Sequence, residues 1–160
     1  MARRTKLVKI TDEGRDKGKT FLITEMPPSQ AEAWAYRALL ALANNNVEVP
    51  DASLGMAALA QVGLRGLSGL PWIVAEPLLK EMMECVQVCP EPKNPSFVRP
   101  LEPAGGDGDY DIEEIATRLK LRKEIFQLHV DFSLAAIQSL LGRGKGAAGK
   151  SSHTGTESQK

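Results

Sequence analysis

The sequence predicts an α+β chain that is mainly α, and three observations carry that prediction. Two short β-branched runs flank a charged turn near the N-terminus, apolar residues recur at helical spacing through the middle and the end, and a proline-dense stretch separates two further short runs. Together they give an N-terminal β-hairpin, a helical body, a small Pro-rich edge hairpin and a long C-terminal amphipathic helix. The expected organisation is a single domain over 1–141 (β-hairpin 1–26, helical body 29–86, short hairpin 86–101, C-terminal helix 111–141), followed by a flexible tail over 142–160.

The hairpin rests on Lys6–Thr11 and Thr20–Glu25, both rich in β-branched residues, with Asp12-Glu13-Gly14-Arg15-Asp16-Lys17-Gly18 between them as a turn-forming loop. Pro27-Pro28 ends it. Ser29-Gln30-Ala31-Glu32 has the form of a capping box, in which the serine hydroxyl and the glutamate carboxylate satisfy opposite orphan N–H groups. The helix that follows, over 30–44, is apolar nearly all round apart from Glu32 and Arg37, which predicts burial on several sides, with Trp34 and Tyr36 as core and core-edge residues. Asn44-Asn45-Asn46 stops it, since asparagine tolerates the left-handed conformation of a helix C-terminus.

Ala52–Leu70 is apolar at Leu54, Met56, Leu59, Val62, Leu64, Leu67 and Leu70 but carries four glycines, each costing about 1 kcal/mol relative to alanine in a helix. Such a weak helix either packs tightly in the core or forms a surface that orders on a partner. Pro71-Trp72-Ile73-Val74-Ala75-Glu76-Pro77 begins a further helix, in which Pro77 is tolerable only near the true start, and Leu78, Leu79, Met82, Met83 and Val86 give it an apolar side. Val86–Cys89 and Phe97–Leu101 form short strands around Pro90, Pro92 and Pro95, which place them at a sheet edge. Glu102–Asp109 is a glycine-rich flexible linker. In the last helix Asp111 caps, Glu114 pairs with Arg118, and Ile112, Ile115, Leu119, Phe126, Val130, Leu134, Ile137 and Leu141 make one stripe. A second stripe of Leu121, Ile125, Leu128 and Phe132 lies beside it, so the helix carries apolar surface beyond what its own fold uses.

Charge is balanced at 20 basic against 20 acidic residues, so no overall basic field points to nucleic acid. The distribution is uneven: net +3 over 1–25, −7 over 76–114 and +3 from Gly142 onward. No apolar stretch approaches membrane-spanning length and no hydrophobic leader follows the basic start, so a soluble cytoplasmic protein is expected.

Residues 144–151, Gly-Lys-Gly-Ala-Ala-Gly-Lys-Ser, match the phosphate-loop pattern, but the pattern works only between a buried strand and a following helix. Here a helix leads in, and the nine residues after Ser151 have no apolar anchor, so the match is expected to be inert. Cys85 and Cys89, spaced C-x3-C, fit neither a redox pair nor half a zinc site, and read as structural thiols. His129 stands on an apolar helix beside Asp131 with no nucleophile in view. Asp107, Asp109, Asp111, Glu113 and Glu114 sit in the linker and at a helix start, where they act as solvated charge and dipole complement. No catalytic, cofactor-binding or metal-binding residue is expected, and no enzyme.

Three segments resemble a family of bacteriophage tail assembly chaperones: Thr5–Met26, with Gly14-Arg15-Asp16-Lys17-Gly18-Lys19-Thr20-Phe21; Gln30–Ala43, with Ala33-Trp34-Ala35-Tyr36-Arg37-Ala38-Leu39-Leu40-Ala41-Leu42; and Ile112–Phe132, with Thr117-Arg118-Leu119-Lys120-Leu121-Arg122-Lys123-Glu124-Ile125-Phe126-Gln127-Leu128-His129. The resemblance spans residues 1 to about 135 and lies in overall pattern, without a residue signature to transfer. It implies a protein that binds the long, apolar tape-measure protein, assists tail-tube assembly in the host cytoplasm, and is absent from the mature virion. Its partners would be the tape-measure and tail-tube proteins, with self-association possible in principle, and without nucleic acid, membrane or cofactor. In lambda-type tail modules the chaperone is also made in a longer form by a −1 ribosomal slip, for which Gly144-Lys145 or Gly149-Lys150 would be the site here. From the apolar patterning, the expected partner-binding residues are Leu59, Leu67, Phe126, Val130, Ile137 and Leu141. Two other classes fit the residues: a small nucleic-acid-binding or regulatory module using Arg3, Arg4, Lys6 and the basic residues within 118–123, and a permanent structural component of the tail.

Overall fold

The computed structural model describes residues 2–49, 55–101 and 110–144, with side chains as far as residue 131. Strands β1 (Thr5–Lys9) and β2 (Thr20–Thr24) form the N-terminal hairpin, with Val8 opposite Phe21. Strands β3 (Val86–Cys89) and β4 (Arg99–Pro100) form the second. The two hairpins are one sheet: β2 pairs antiparallel with β3, and the strand order is β1-β2-β3-β4. The register lines up Val8, Phe21 and Val88 across three strands, and these side chains, with Ile23 and Val86, are buried. The alternate residues Leu7, Leu22, Gln87 and Pro100 form the corresponding row on the opposite face, where Leu7 is exposed. β4 is shorter than the Phe97–Leu101 strand expected. Phe97 lies outside it and is exposed, and Pro100 has no N–H to extend the ladder.

Helix α1 (Pro28–Asn44) starts at a proline, whose fixed φ suits the first helical position and whose missing N–H would be unpaired there anyway. Pro27 is therefore the cap residue, no side chain caps the helix, and the capping box expected at Ser29 does not form. The C-terminus follows the expected asparagine logic. Asn46 has φ 60°, its N–H donates to Ala43 O at 3.2 Å, and Asn45 Nδ2 donates to Ala41 O at 2.8 Å. One face of α1 is buried (Trp34, Ala35, Ala38, Leu39, Leu42), while Leu40 is exposed, so burial is less complete than composition suggested.

The glycine-rich segment does not form one helix. Helix α2 (Met56–Val62) ends at Gly63, where φ is 75°, and a 3₁₀ turn over Leu64–Gly69 follows. Glycine supplies the positive φ that breaks the helix without steric cost. Ala57, Ala58, Leu59, Leu67 and Leu70 are buried, so for the described residues the core alternative holds. Helix α3 (Trp72–Met83), with Pro71 as its cap residue, begins within the expected Pro71–Pro77 stretch, and Pro77 lies in its interior and not at its start. An interior proline costs about 3 kcal/mol in an isolated helix; here burial of Ala75, Leu78, Met82 and Met83 opposes that cost.

Helix α4 (Ile115–Gly144) lies against the sheet and the other helices. Leu121 and Ile125 are fully buried, and Phe126, His129 and Val130 nearly so. A small interior gap of about 10 Å³ is lined by Met26, Trp34, Met56, Met82, Ile125, Phe126 and His129, and this is where β2's end and all four helices meet. It holds no more than a single water. Trp34 Nε1 donates to Leu78 O at 3.0 Å, which makes the indole a core residue with its one donor satisfied. Among the described residues no helix is long and apolar enough to cross a membrane.

Candidate functional site

The loop between β1 and β2 anchors the start of α4. Asp16 is fully buried, and its carboxylate accepts from the Glu113 N–H at 3.0 Å (Oδ1) and from the Glu114 N–H at 3.0 Å (Oδ2). Lys19 Nζ bridges it to Glu113, 2.8 Å from Asp16 Oδ1 and 2.8 Å from Glu113 Oε1. Burial alone pushes the Asp16 carboxyl up, but Lys19, the Glu113 amide and the Thr117 hydroxyl outweigh it and hold the group ionised below its ordinary value of 3.8. The cap of α4 thus comes from a residue 97 positions away and not from Asp111. Asp111 instead holds Arg99 in a two-pronged pair at 2.7 and 2.9 Å, tying β4 to the approach to α4. Glu114 does not reach Arg118. Its carboxylate lies over Gly14, where φ is 149° and an added Cβ would come within 2.7 Å of Glu114 Oε1.

His129 is a satisfied structural histidine. The Met26 N–H donates to Nε2 at 2.9 Å, so Nε2 carries a lone pair, and Nδ1 at 2.8 Å donates to Ile125 O. Burial lowers its pKa from 6.5 and keeps it neutral. Cys85 and Cys89 are buried free thiols, and burial, with Glu84 and Glu81 nearby, pushes the Cys85 thiol up to about 11. A thiol held in that form is a poor nucleophile. Among the described residues no group of three His, Cys, Asp or Glu side chains is placed to hold a metal.

Among the described residues, two grooves lie at the surface. One, of about 640 Å³, runs along Lys17, Lys19, Val88, Pro92, Arg99 and Tyr110, but Lys19 and Arg99 are already engaged by Asp16, Glu113 and Asp111. The other, of about 320 Å³, lies beside Arg3, Gln30, Glu81, Glu84 and Cys85.

The expected partner-binding residues fare differently from their prediction. Leu59, Leu67, Phe126 and Val130 are buried in the core, so none of them offers free surface in this fold. Part of the main stripe of α4 is covered, because Trp34 of α1, Met56 of α2 and Met82 of α3 close over Phe126. The Ile137 and Leu141 side chains lie outside the described residues, as do the linker 102–109 with Asp107 and Asp109, and the phosphate-loop match after Gly144. The chain entering that match is helical to Gly144, which carries α4 past the expected boundary at 141. Among the described residues, the helices expose apolar side chains elsewhere: Ile115 at 78% and Leu119 at 57% on α4, Trp72 at 66% with Ile73 on α3, and Leu40 on α1. Helical spacing placed Ile115 and Leu119 in the main stripe with Phe126 and Val130, but that stripe is split: Ile115 and Leu119 are exposed, whereas Phe126 and Val130 are buried together with Leu121 and Ile125 of the second stripe.

The basic residues expected for nucleic acid are largely matched by acids. Arg4 pairs with Glu25 at 2.8 Å, Lys6 with Glu124, and Lys120 with Asp12 at 2.8 Å. Arg118 and Arg122 have no acidic or carbonyl partner among the described residues, and Arg122 Nε is shielded from water with no acceptor. No protein-family model, curated protein or solved structure matches this chain.

Proposed function

We propose that the chain is a non-enzymatic bacteriophage tail assembly chaperone, which binds the tape-measure protein in the host cytoplasm, assists tail-tube assembly and is left out of the finished virion. The observation that carries the proposal is the convergence of the three segments in which the resemblance lies. Asp16 and Lys19 from the first hold the start of α4, which is the third, and Trp34 from the second packs with Ile125 and Phe126 of the third. The segments behind the resemblance therefore meet in the framework of the fold, which supports a likeness of architecture without a catalytic signature. The inert state of His129 and of the Cys85 thiol agrees with a binding role. So does large apolar surface left open at Ile115, Leu119, Trp72 and Ile73.

Co-expression tests it. The chain and the long apolar protein encoded next to it are produced together and separately. The chaperone reading expects that protein to be soluble only with the chain, and the two to co-elute. An insoluble tape-measure protein in both cases would overturn it.

A further inference from the structure

Arg118 and Arg122 are one turn apart on α4, on a flank that also carries the exposed side chains of Ile115 and Leu119. At about 100° per residue this flank lies roughly 160° around the helix from Lys120 and Glu124, which are bound to Asp12 and Lys6. One side of the helix is therefore charge-matched within the fold, and the other is not. Glu114, the acid one turn before Arg118, is turned away over Gly14. Arg122 Nε is already out of water without an acceptor, and burial together with Arg118 lowers the Arg122 pKa. A desolvated donor with no partner is costly, and a guanidinium pair favours planar carboxylates that accept two hydrogen bonds.

We infer that Arg118, Arg122, Ile115 and Leu119 form a docking surface for an acidic amphipathic helix of another protein, whose carboxylates meet the two guanidiniums while its apolar side chains cover Ile115 and Leu119. Charge complementarity selects this occupant: a neutral apolar segment leaves the two guanidiniums without a counter-charge, and a purely ionic ligand leaves the two aliphatic side chains in water. The inference stands independently of the chaperone reading, since it names the chemistry of a partner and not its role.

The test uses the full-length chain and fluorescence anisotropy with a fluorescein-labelled synthetic helix of alternating Leu and Glu faces, a version with every Glu replaced by Gln, and a single-stranded oligonucleotide. The expected result is binding of the Glu peptide about tenfold tighter than the Gln peptide. Arg118→Gln with Arg122→Gln should abolish that preference, and Leu119→Ser should weaken the Glu peptide several-fold, with the thermal midpoint lowered in neither variant. Equal affinity for the two peptides, or a preference that survives loss of both arginines, overturns the proposal. So does an oligonucleotide that binds as tightly as the Glu peptide through the arginines and ignores Leu119→Ser, which would assign the flank to nucleic acid. A chain with Glu102→Gln, Asp107→Asn and Asp109→Asn that gains about tenfold in peptide affinity would identify the chain's own linker as the occupant, and would overturn it as well.

Discussion

Replacing Asp16 with alanine removes the acceptor on which two buried connections depend: the Glu113 and Glu114 amides at the start of α4, and the Lys19 ammonium. Loss of a helix N-cap costs about 1–2 kcal/mol, and amides left without acceptors add about 1 kcal/mol or more where water does not reach them. The upper bound is the roughly 5 kcal/mol seen when one partner of a buried ion pair is removed. Lys19 keeps Glu113 as a second partner at 2.8 Å, which places the expected loss below that bound, at about 3 kcal/mol. For a chain of this length that corresponds to a thermal midpoint lowered by about 6–12 °C. Asp16→Asn keeps one oxygen acceptor and loses the charge, so about half the effect is expected. Urea unfolding followed by circular dichroism at neutral pH measures both. The folded-state pKa of Asp16 lies below its unfolded value of 3.8, so its stabilisation is complete above that pH and is lost as pH falls through the folded value. The gap between the native chain and the alanine variant should therefore narrow only in acid. A difference under about 0.5 kcal/mol, the size of an ordinary surface substitution, would refute the tertiary cap, as would a gap that stays constant through the acid range.

Gly14→Ala should cost more than Gly18→Ala: both have positive φ (149° and 87°), but only at Gly14 would the new Cβ meet the Glu114 carboxylate, and parallel thermal melts decide it. His129 is neutral in the fold with its pKa depressed, so the unfolded chain takes the proton first; stability should fall as pH drops below about 6.5, at up to about 1.4 kcal/mol per pH unit. His129→Gln should abolish that slope, and a variant that keeps it would assign the effect elsewhere. Cys85 and Cys89 should react with a disulfide reagent at rates limited by unfolding, and immediate labelling of either in the native state would contradict their burial. Acrylamide should quench one tryptophan strongly and the other weakly, and Trp72→Phe should leave only the shielded emission of Trp34.

Short-range features were largely legible in sequence. The strand Val86–Cys89 and the core of the first hairpin follow from β-branched runs bounded by turn residues, and the stop at Asn45-Asn46 from asparagine's tolerance of positive φ. What local pattern missed was long-range. Nothing near Ile115 reveals that its cap is Asp16, and Asp111 looked like the cap because its alternative engagement, Arg99, lies 12 residues upstream on another element. Ser29 was outcompeted by the prolines just before it, which set the helix start earlier. The same limit governs the candidate surface. Periodicity showed that α4 has two apolar stripes, but how far along the helix each is covered depends on where Trp34, Met56 and Met82 arrive, and they close over Phe126 while leaving Ile115 and Leu119 of the same stripe open. The glycines of 52–70 signalled a weak helix, and Gly63 turned out to be the position where it breaks.

The most direct test of the chaperone account is made in infected cells. The chain, carrying an affinity tag at its N-terminus, is captured from lysate before tails are complete, and its amount in purified particles is measured by quantitative mass spectrometry. The account predicts that the tape-measure protein is the principal captured partner and that the chain is absent from the particles. Capture without tape-measure protein, or the chain present in particles in fixed proportion to the tail proteins, would contradict it.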